Sequence, residues 1–276
     1  MDVKSIGIKG SPACYHVNHS MKTRYLVCAS PRSGSNLLCN LLENTGVSGM
    51  VPLREFSTYE LLNDVRAIDP AGIDWEKTDL EVFFRDLFDR YGSFKIIWYQ
   101  LERLIESARG STRYRGLSLG RLARLLPRDT EFILTSRRNR IQQAVSLFQA
   151  RLTGNWKVVG NKPENDRELA REDFHPEALL RCLEEIEASD RAWREFFLAG
   201  GLQYLEIEYE TMIRDCRASI VKVLDHLDLP CPEDLEIRTD LSIQRNKLSR
   251  YFEKRFRRYR RRQLLSRLLP PLTRKS

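Results

Sequence analysis

Short runs of consecutive apolar residues alternate along the chain with longer segments in which apolar residues recur every three or four positions. The short runs predict strands that are buried on both faces, at residues 25–29, 94–99, 131–136 and 202–208. The periodic segments predict amphipathic helices, at residues 36–44, 80–91, 101–109, 117–126, 141–152, 176–198 and 211–227. Strands that alternate with helices indicate an α/β fold, a three-layer sandwich around a central parallel sheet.

The same pattern divides the chain into an arm, one domain and a tail. Residues 1–23 lack any clear periodicity and predict a flexible N-terminal arm, while residues 24–256 hold the alternating elements. Residues 257–276 follow as a basic amphipathic tail. Inside the domain, the polar stretch at residues 154–173 predicts a mobile loop.

Charge favours an anionic partner. The 276 residues include 46 Lys or Arg against 38 Asp or Glu, a net charge of +8. Most of this excess lies in residues 250–275, so a diffuse nucleic-acid-binding surface is not expected. Since neither a signal-peptide core nor an apolar run of about 18 residues occurs, we expect a cytoplasmic protein without a spanning helix.

Six cysteines are scattered along the chain without a Cys-x-x-Cys pair. Their spacing fits neither a disulfide framework nor a metal site. We therefore expect reduced thiols and no bound metal.

The segment Ser30-Pro-Arg-Ser-Gly-Ser-Asn36 lies between the first predicted strand and the first predicted helix. Small residues at this position let backbone N–H groups converge on an anion at the helix N-terminus, and Arg32 adds a positive charge. The segment lacks the first glycine and the lysine of a nucleoside-triphosphate loop and also lacks GxGxxG. It therefore predicts a phosphate-like ligand other than ATP, GTP or NAD; the alternative is a tight turn without a ligand.

A second group of polar residues follows the third predicted strand. Arg137 and Arg138 come directly after this strand, and Ser146 lies on the next helix. Ligands of open α/β sheets bind at the carboxyl ends of the strands, so these side chains are suited to a second anion. A solvated arginine pair is the alternative. Taken with the first loop, the pair predicts a ligand with two separated anionic groups.

In these two segments the chain resembles sulfotransferases that use 3′-phosphoadenylyl sulfate (PAPS), and more closely the trehalose 2-sulfotransferase family. The similar stretches follow one another in the same order over about residues 24–256. They are Tyr25–Leu38, Thr45–Gly49, Arg54–Phe56, Lys95–Trp98, Gln143–Ser146, Trp193 with Arg194, and Ser249 with Glu253 and Arg255.

The resemblance implies a P-loop-like sulfotransferase fold and a role for each matched residue. Glu55 falls on the general base of the family, and Arg32 would stabilise the reacting group. Either Arg137 or Arg138, together with Ser146, would hold the 3′-phosphate of PAPS. The 5′-phosphosulfate would be bound by the loop residues Arg32, Ser33, Gly34, Ser35, Asn36 and Leu37.

The chain also departs from the trehalose enzymes in three places. Pro31 replaces a glutamine that contacts sugar, Met50–Leu53 replaces a shorter acidic segment, and Gln244–Asn246 matches the cofactor-contacting Arg-Gln only in half. The resemblance thus implies PAPS as donor and leaves the acceptor sugar open. If Glu55 is not the base, His175 at a helix start is the next candidate.

The tail from Arg250 to Leu269 interleaves arginines with leucines and aromatic residues. This mixture suits a helix that covers the cofactor, an amphipathic helix on an anionic membrane, or an arm for nucleic acid. We expect a carbohydrate or glycolipid acceptor, peripheral membrane contact through the tail, and no nucleic acid; a homodimer stays open.

The resulting hypothesis is in-line transfer of the sulfuryl group of PAPS to a hydroxyl of a carbohydrate or glycolipid. The alternative from another class is a non-catalytic nucleotide- or polyanion-binding protein that uses the same loop.

Overall fold

The computed structural model describes residues 24–50, 72–156, 158–159, 162–163, 165–239, 241 and 245–268. The predicted arm and Glu55 lie outside the described residues. The strands are β1 (Arg24–Ala29), β2 (Phe94–Ile97), β3 (Thr130–Ser136), β4 (Val158–Val159), β5 (Lys162–Pro163) and β6 (Leu205–Glu208). The α-helices are α1 (Ser35–Glu43), α2 (Leu80–Tyr91), α3 (Trp98–Arg109), α4 (Leu119–Leu125), α5 (Arg140–Thr153), α6 (Pro176–Gly200), α7 (Tyr209–Met212), α8 (Cys216–His226) and α9 (Lys247–Leu268).

Four of the strands form one parallel sheet, in the order β2-β1-β3-β6, which confirms the predicted α/β fold. The chain moves outward from β1 to β2 and then crosses to the other side of β1 at β3. The direction of the strand order therefore changes between β1 and β3. In open α/β sheets a crevice forms outside the carboxyl ends of two such strands.

Helices cover both faces of the sheet because successive residues of a strand point to opposite sides. On β1, Leu26 and Cys28 pack into a core with α2, α3, α4 and the C-terminal half of α6. Tyr25 and Val27 face the other way and pack into a core with α1 and α8. These two cores make the three predicted layers.

A third core joins α5, α6 and α9 beside the sheet. It contains Phe148 from α5, Ile186 from α6, and Phe252 and Phe256 from α9. Helix α9 runs without a break across residue 257, the predicted start of the tail, because its apolar stripe continues to Tyr259. None of the helices in the described ranges is both long and apolar enough to cross a membrane.

The strand predicted at residues 94–99 ends earlier, at Ile97, and α3 begins at Trp98. The Ile97 N–H donates to Gln100 Oε1 at 2.9 Å. This side-chain bond satisfies an amide at the helix start, and the apolar pattern alone does not show it.

Two element boundaries in the C-terminal half also differ from the prediction. The strand predicted from residue 202 begins at Leu205, because the Leu202 N–H donates to Phe197 O at 2.9 Å and closes the end of α6. The helix predicted over residues 211–227 is divided into α7 and α8. Asp215 accepts from the Ala218 N–H at 2.8 Å and caps the second of them.

The polar stretch at residues 154–173, predicted as an irregular loop, carries regular structure. Strands β4 and β5 pair antiparallel, and a 3-10 turn spans Arg171–Asp173. The Asn155 side chain closes the ends of the hairpin segment, since its Nδ2 donates to the Asn165 carbonyl oxygen at 3.0 Å and its Oδ1 accepts from the Asn165 N–H at 2.7 Å. Each of these strands has only two residues, too few to form the apolar run by which strands are predicted.

Candidate active site

The loop between β1 and α1 turns tightly at the carboxyl end of the central strand. Arg32 has a φ of 62° and Gly34 a φ of 96°, both in the left-handed region. A Cβ atom at Gly34 would lie 2.5 Å from a ring carbon of Tyr209. Gly34 is thus needed both for its backbone conformation and for the close approach of Tyr209.

The first turn of α1 faces a cleft of about 1280 Å³. The loop residues that line this cleft are Pro31, Arg32, Gly34, Ser35, Asn36 and Leu37. Because the first amides of a helix have no intrahelical acceptor, this turn offers backbone N–H donors and the positive end of the helix dipole. Ser33 is oriented differently, since its Oγ lies 2.7 Å from Thr135 Oγ1 on β3.

The Arg32 side chain crosses the cleft to α5. Its Nε donates to Ser146 Oγ at 2.9 Å, and its Nη1 donates to the Trp156 carbonyl oxygen. The structure therefore brings together Arg32 and Ser146, two residues predicted as site residues from separate motifs. Asn36 accepts a hydrogen bond from Lys95 Nζ, whose side chain is fully buried on β2.

Arg137, at the end of β3, is buried beside the same loop. Its Nη1 donates to the Arg32 carbonyl oxygen at 3.3 Å, and its guanidinium carbon lies 4.4 Å from the centre of the Tyr209 ring. Burial lowers the pKa of Arg137. The Nε atom is buried, 3.9 Å from Glu210 Oε1, and has no hydrogen-bond partner within the described part of the chain. Such a donor suits an anionic ligand in the cleft.

Arg138, the next residue in the sequence, does not line the cleft. Its side chain is 67% exposed and forms an ion pair with Glu208. Its backbone N–H donates to Glu210 Oε2 at 2.9 Å, and Asn139 donates to Oε1 at 3.1 Å. Burial acts to raise the pKa of Glu210, but backbone N–H groups, among them these two, and the charge of Arg137 together hold the pKa below its usual range. Arg137 lines the cleft, whereas Arg138 anchors a surface turn.

The opposite wall of the cleft comes from the start of α9. Arg245 and Glu253 form a bidentate pair at 3.2 and 3.0 Å, and both line the cleft. Ser249 donates to Gln149 Oε1 at 2.8 Å and ties this helix to α5. The N-terminal part of α9 therefore forms part of the cleft wall.

Two residues beside Arg137, Tyr209 and Glu210, carry no sequence signal strong enough to single them out, and a third, Gln143, was matched only as part of the stretch Gln143–Ser146. Tyr209 and Glu210 follow a strand as an ordinary pair, and their contacts with Arg137 arise only when β6 pairs with β3. Gln143 is fully buried and donates to the anion loop. A glutamine inside an otherwise apolar helix stripe is a signal of this kind of bond, because a buried amide needs partners.

The histidines within the described residues lie away from the cleft. The His175 ring packs against Phe148 at the start of α6, with 6.5 Å between the ring centres. His226 lies 3.5 Å from Glu131, at the start of β3 and thus at the opposite end of the sheet. No group of three His, Cys, Asp or Glu residues among the described ranges is arranged to hold a metal ion.

The cleft lies at the carboxyl ends of two adjacent strands, and comparison with known proteins identifies the family of the chain. The Stf0 sulphotransferase family model matches residues 24–260. The chain belongs to the Stf0 sulphotransferase family. Its matched region contains every described residue of the cleft, from Pro31 to Glu253.

Relatives within reach of sequence comparison agree with the family. A trehalose 2-sulfotransferase of Mycolicibacterium smegmatis is 27% identical over 230 residues, covering 74% of this chain and 84% of the relative. A trehalose 2-sulfotransferase of Mycobacterium tuberculosis is 25% identical over 224 residues, covering 73% and 82%. The match to the solved sulfotransferase domain of the Synechococcus olefin synthase covers 85% of this chain and 86% of that domain's chain, at 16% identity and a TM-score of 0.35. The family match over residues 24–260 identifies this chain as an enzyme of the Stf0 family.

Proposed function

We propose that this Stf0 enzyme transfers the sulfuryl group of PAPS to a hydroxyl of a carbohydrate. The observation that carries the proposal is the pair of arginines in one cleft. Arg32 follows β1, Arg137 follows the adjacent β3, and both line the space outside the carboxyl ends of these strands. PAPS has two separated anionic groups, a 5′-phosphosulfate and a 3′-phosphate, and two cationic positions on one crevice suit such a ligand.

The chemistry of the donors supports this fit. The first-turn amides of α1 and the Arg32 guanidinium would hold the 5′-phosphosulfate. Arg137 is favoured over Arg138 for the 3′-phosphate, because its buried Nε has no hydrogen-bond partner in the described structure and lies 3.9 Å from Glu210, whereas Arg138 is exposed and paired at short range with Glu208. Ser146 lies beside Arg32 at 2.9 Å, and its hydroxyl can also donate to an anion.

Bound PAPS supplies an activated sulfuryl group that moves in line to the acceptor hydroxyl and leaves adenosine 3′,5′-bisphosphate. Arg32 and the amides of residues 35–37 act on the charge that develops on the sulfuryl and leaving oxygens. Because they are already in place in the folded protein, they stabilise the transition state without reorganisation. The protein acts mainly by positioning and electrostatics, by analogy with phosphoryl transfer.

Glu55, through its resemblance to the family, would accept the proton of the acceptor hydroxyl. Of the four described carboxylates that line the cleft, Glu253 is paired with Arg245 and Glu185 with Arg151, while Asp166 and Glu168 are exposed. Chain geometry permits the role: Met50 pairs with Ser93 at the start of β2, and the five residues to Glu55 span up to about 17 Å. The four residues of β2 rise roughly 13 Å, so this span suffices to reach the cleft edge.

The acceptor class follows from the relatives, both of which are trehalose 2-sulfotransferases. A hydroxyl-rich acceptor also suits the polar wall beyond Ser146, where Thr153, Asn155 and Asn165 line the same cleft. A saccharide or the sugar of a glycolipid is therefore proposed, with the sugar itself and the hydroxyl left open.

Calorimetric titration with PAPS tests the second anion site. We expect Arg137→Ala to weaken PAPS binding by roughly 30- to 1,000-fold, about 2–4 kcal/mol, because a sheltered charge-assisted contact is lost. Arg138→Ala, the adjacent exposed arginine, is the matched control and should stay within about threefold of the wild type. Unchanged affinity in an Arg137→Ala protein that melts as the wild type does would disprove the assignment.

The C-terminal half of α9 supports a proposal of membrane contact. The helix contains ten Lys or Arg residues against one acidic residue, and Leu264 and Leu265 are 54% and 47% exposed. Basic side chains near an anionic leaflet contribute about 1 kcal/mol each, and exposed leucines add apolar contact. A glycolipid acceptor would be met at such a surface.

Sedimentation with vesicles tests this contact. We expect the full chain to bind vesicles rich in phosphatidylglycerol, less at high salt, and to bind phosphatidylcholine weakly. The quadruple variant Arg261→Gln, Arg262→Gln, Leu264→Ser, Leu265→Ser should lose most of this binding. Arg85→Gln with Arg103→Gln, two exposed arginines on α2 and α3, is the control for net charge. Equal binding by all three proteins, or none by the wild type, rules the contact out.

A further inference from the structure

Gln143 on α5 is a glutamine with no exposed surface, located directly beneath the anion loop. Its Nε2 donates to the Pro31 carbonyl oxygen at 2.8 Å and to Ser30 Oγ at 3.0 Å. Its Oε1 accepts from Arg140 Nη1 at 3.3 Å, and Arg140 also forms an ion pair with Asp190 of α6. Both N–H donors and the acceptor of the amide are thus used, so its orientation is well determined.

The bond to Pro31 matters because of the residue that follows. Arg32 has a φ of 62°, which residues other than glycine rarely adopt because the backbone is strained there. Its φ depends on the plane of the preceding peptide, and Gln143 holds the carbonyl oxygen of that peptide. Arg137 holds the following peptide through the Arg32 carbonyl oxygen at 3.3 Å. Both peptides that flank the strained residue are therefore held by side chains.

The same helix also contacts the far end of Arg32. Ser146 lies three residues after Gln143, on the same face of α5, and its Oγ accepts from Arg32 Nε at 2.9 Å. One rigid helix therefore binds the backbone just before Arg32 and the guanidinium at the end of its side chain. Loss of either bond would let the guanidinium leave the position in which it faces the cleft.

We infer that Gln143 is a positioning residue for catalysis, which holds the left-handed backbone of Arg32 and thereby aims its guanidinium at the reacting group. The expected effect on catalysis rests on the proposed function, whereas the expected effect on the position of the Arg32 guanidinium does not. Gln143 itself would touch neither substrate.

The structural consequence is tested by NMR of the arginine Nε–H groups in the full chain. The Arg32 signal, assigned by its absence in Arg32→Lys, should be protected from exchange in the wild type because Nε–H donates to Ser146. In Gln143→Met, which keeps the length of the side chain and loses the amide, we expect this signal to broaden or disappear. The buried Gln100→Met, which removes an amide bonded to Ile97 instead, should leave it unchanged.

The catalytic consequence is tested by steady-state kinetics of the same proteins. We expect kcat of Gln143→Met to fall by roughly 10- to 100-fold, since a misplacement of about 1 Å can cost that much. The KM for PAPS should stay within about threefold, because Arg137 and the α1 amides remain. In an Arg32→Ala background the same change should lower kcat by less than about threefold, since there is no guanidinium left to position.

The NMR and kinetic experiments distinguish a failure of this inference from a failure of the proposed function. An unchanged Arg32 signal in a folded Gln143→Met protein overturns the inference, as does a kcat loss that persists in full in the Arg32→Ala background. If the wild type transfers no sulfuryl group but the signal behaves as expected, the proposed function fails and the positioning role stands. Should Gln143→Met not fold, Gln143→Asn, shorter by one methylene, should show the same effects to a smaller degree.

Discussion

In the Arg32→Ala variant we expect kcat to fall by roughly 10²–10³-fold, the effect of removing one preorganised donor from a transition state that develops negative charge. Affinity for PAPS should fall far less, because the amides of α1 and Arg137 still bind both anionic groups. Rapid-quench assays with saturating PAPS give kcat, and calorimetry gives the dissociation constant. An interaction that strengthens as the bond to sulfur breaks must appear in turnover more than in binding.

The control is Arg138→Ala, which removes an equal charge from a side chain that is 67% exposed and paired with Glu208. Its kcat should remain within about threefold of the wild type. If Arg32→Ala instead binds PAPS several hundredfold more weakly and turns over normally at saturation, Arg32 serves ground-state binding only.

The second large effect is expected at Glu55. A sugar hydroxyl is a weak nucleophile at neutral pH, and general-base assistance typically contributes about 10²–10⁴-fold. Glu55→Gln keeps the shape of the side chain and removes the proton acceptor, so kcat should fall by that order while the affinity for PAPS stays nearly unchanged. The ascending limb of the pH–rate profile should be present in the wild type and absent in the variant.

Glu184→Gln, which changes an exposed carboxylate on α6, controls for the loss of one negative charge. A Glu55→Gln enzyme within threefold of wild-type turnover would assign the base to another residue. His175 would be tried next, although its ring packs against Phe148, followed by Asp166 and Glu168, which are exposed on the cleft wall.

The sheet and the anion loop were predictable because local patterns specify them. An apolar run followed by Ser, Gly and an apolar helix defines β1, the turn and α1, and parallel strands bring Arg32 and Arg137 to one edge. The same reasoning could not distinguish Arg137 from Arg138, because the two arginines are adjacent in the sequence. Only the pairing of β6 with β3, which brings Tyr209 and Glu208 to this edge, puts one arginine inside and the other at the surface.

Errors in the predicted elements have a common physical origin. Hydrophobic periodicity cannot show a side chain that bonds to a backbone group. It therefore missed the start of α3 at Trp98, which the Gln100 side chain stabilises, and the cap of α8 by Asp215. The position of α9 is set by tertiary packing of Phe252 and Phe256 into a core of α5 and α6.

One measurement tests most directly whether the protein transfers the sulfuryl group of PAPS to a sugar hydroxyl. The full chain is incubated with PAPS that carries radioactive sulfur, together with trehalose, a panel of other saccharides and a glycolipid extract, and the products are separated. We predict that label appears in at least one carbohydrate product, that one equivalent of adenosine 3′,5′-bisphosphate is released per labelled product, and that Arg32→Ala abolishes most of the transfer. Tight binding of PAPS with no label in any acceptor would contradict the claim and would favour a non-catalytic nucleotide-binding protein.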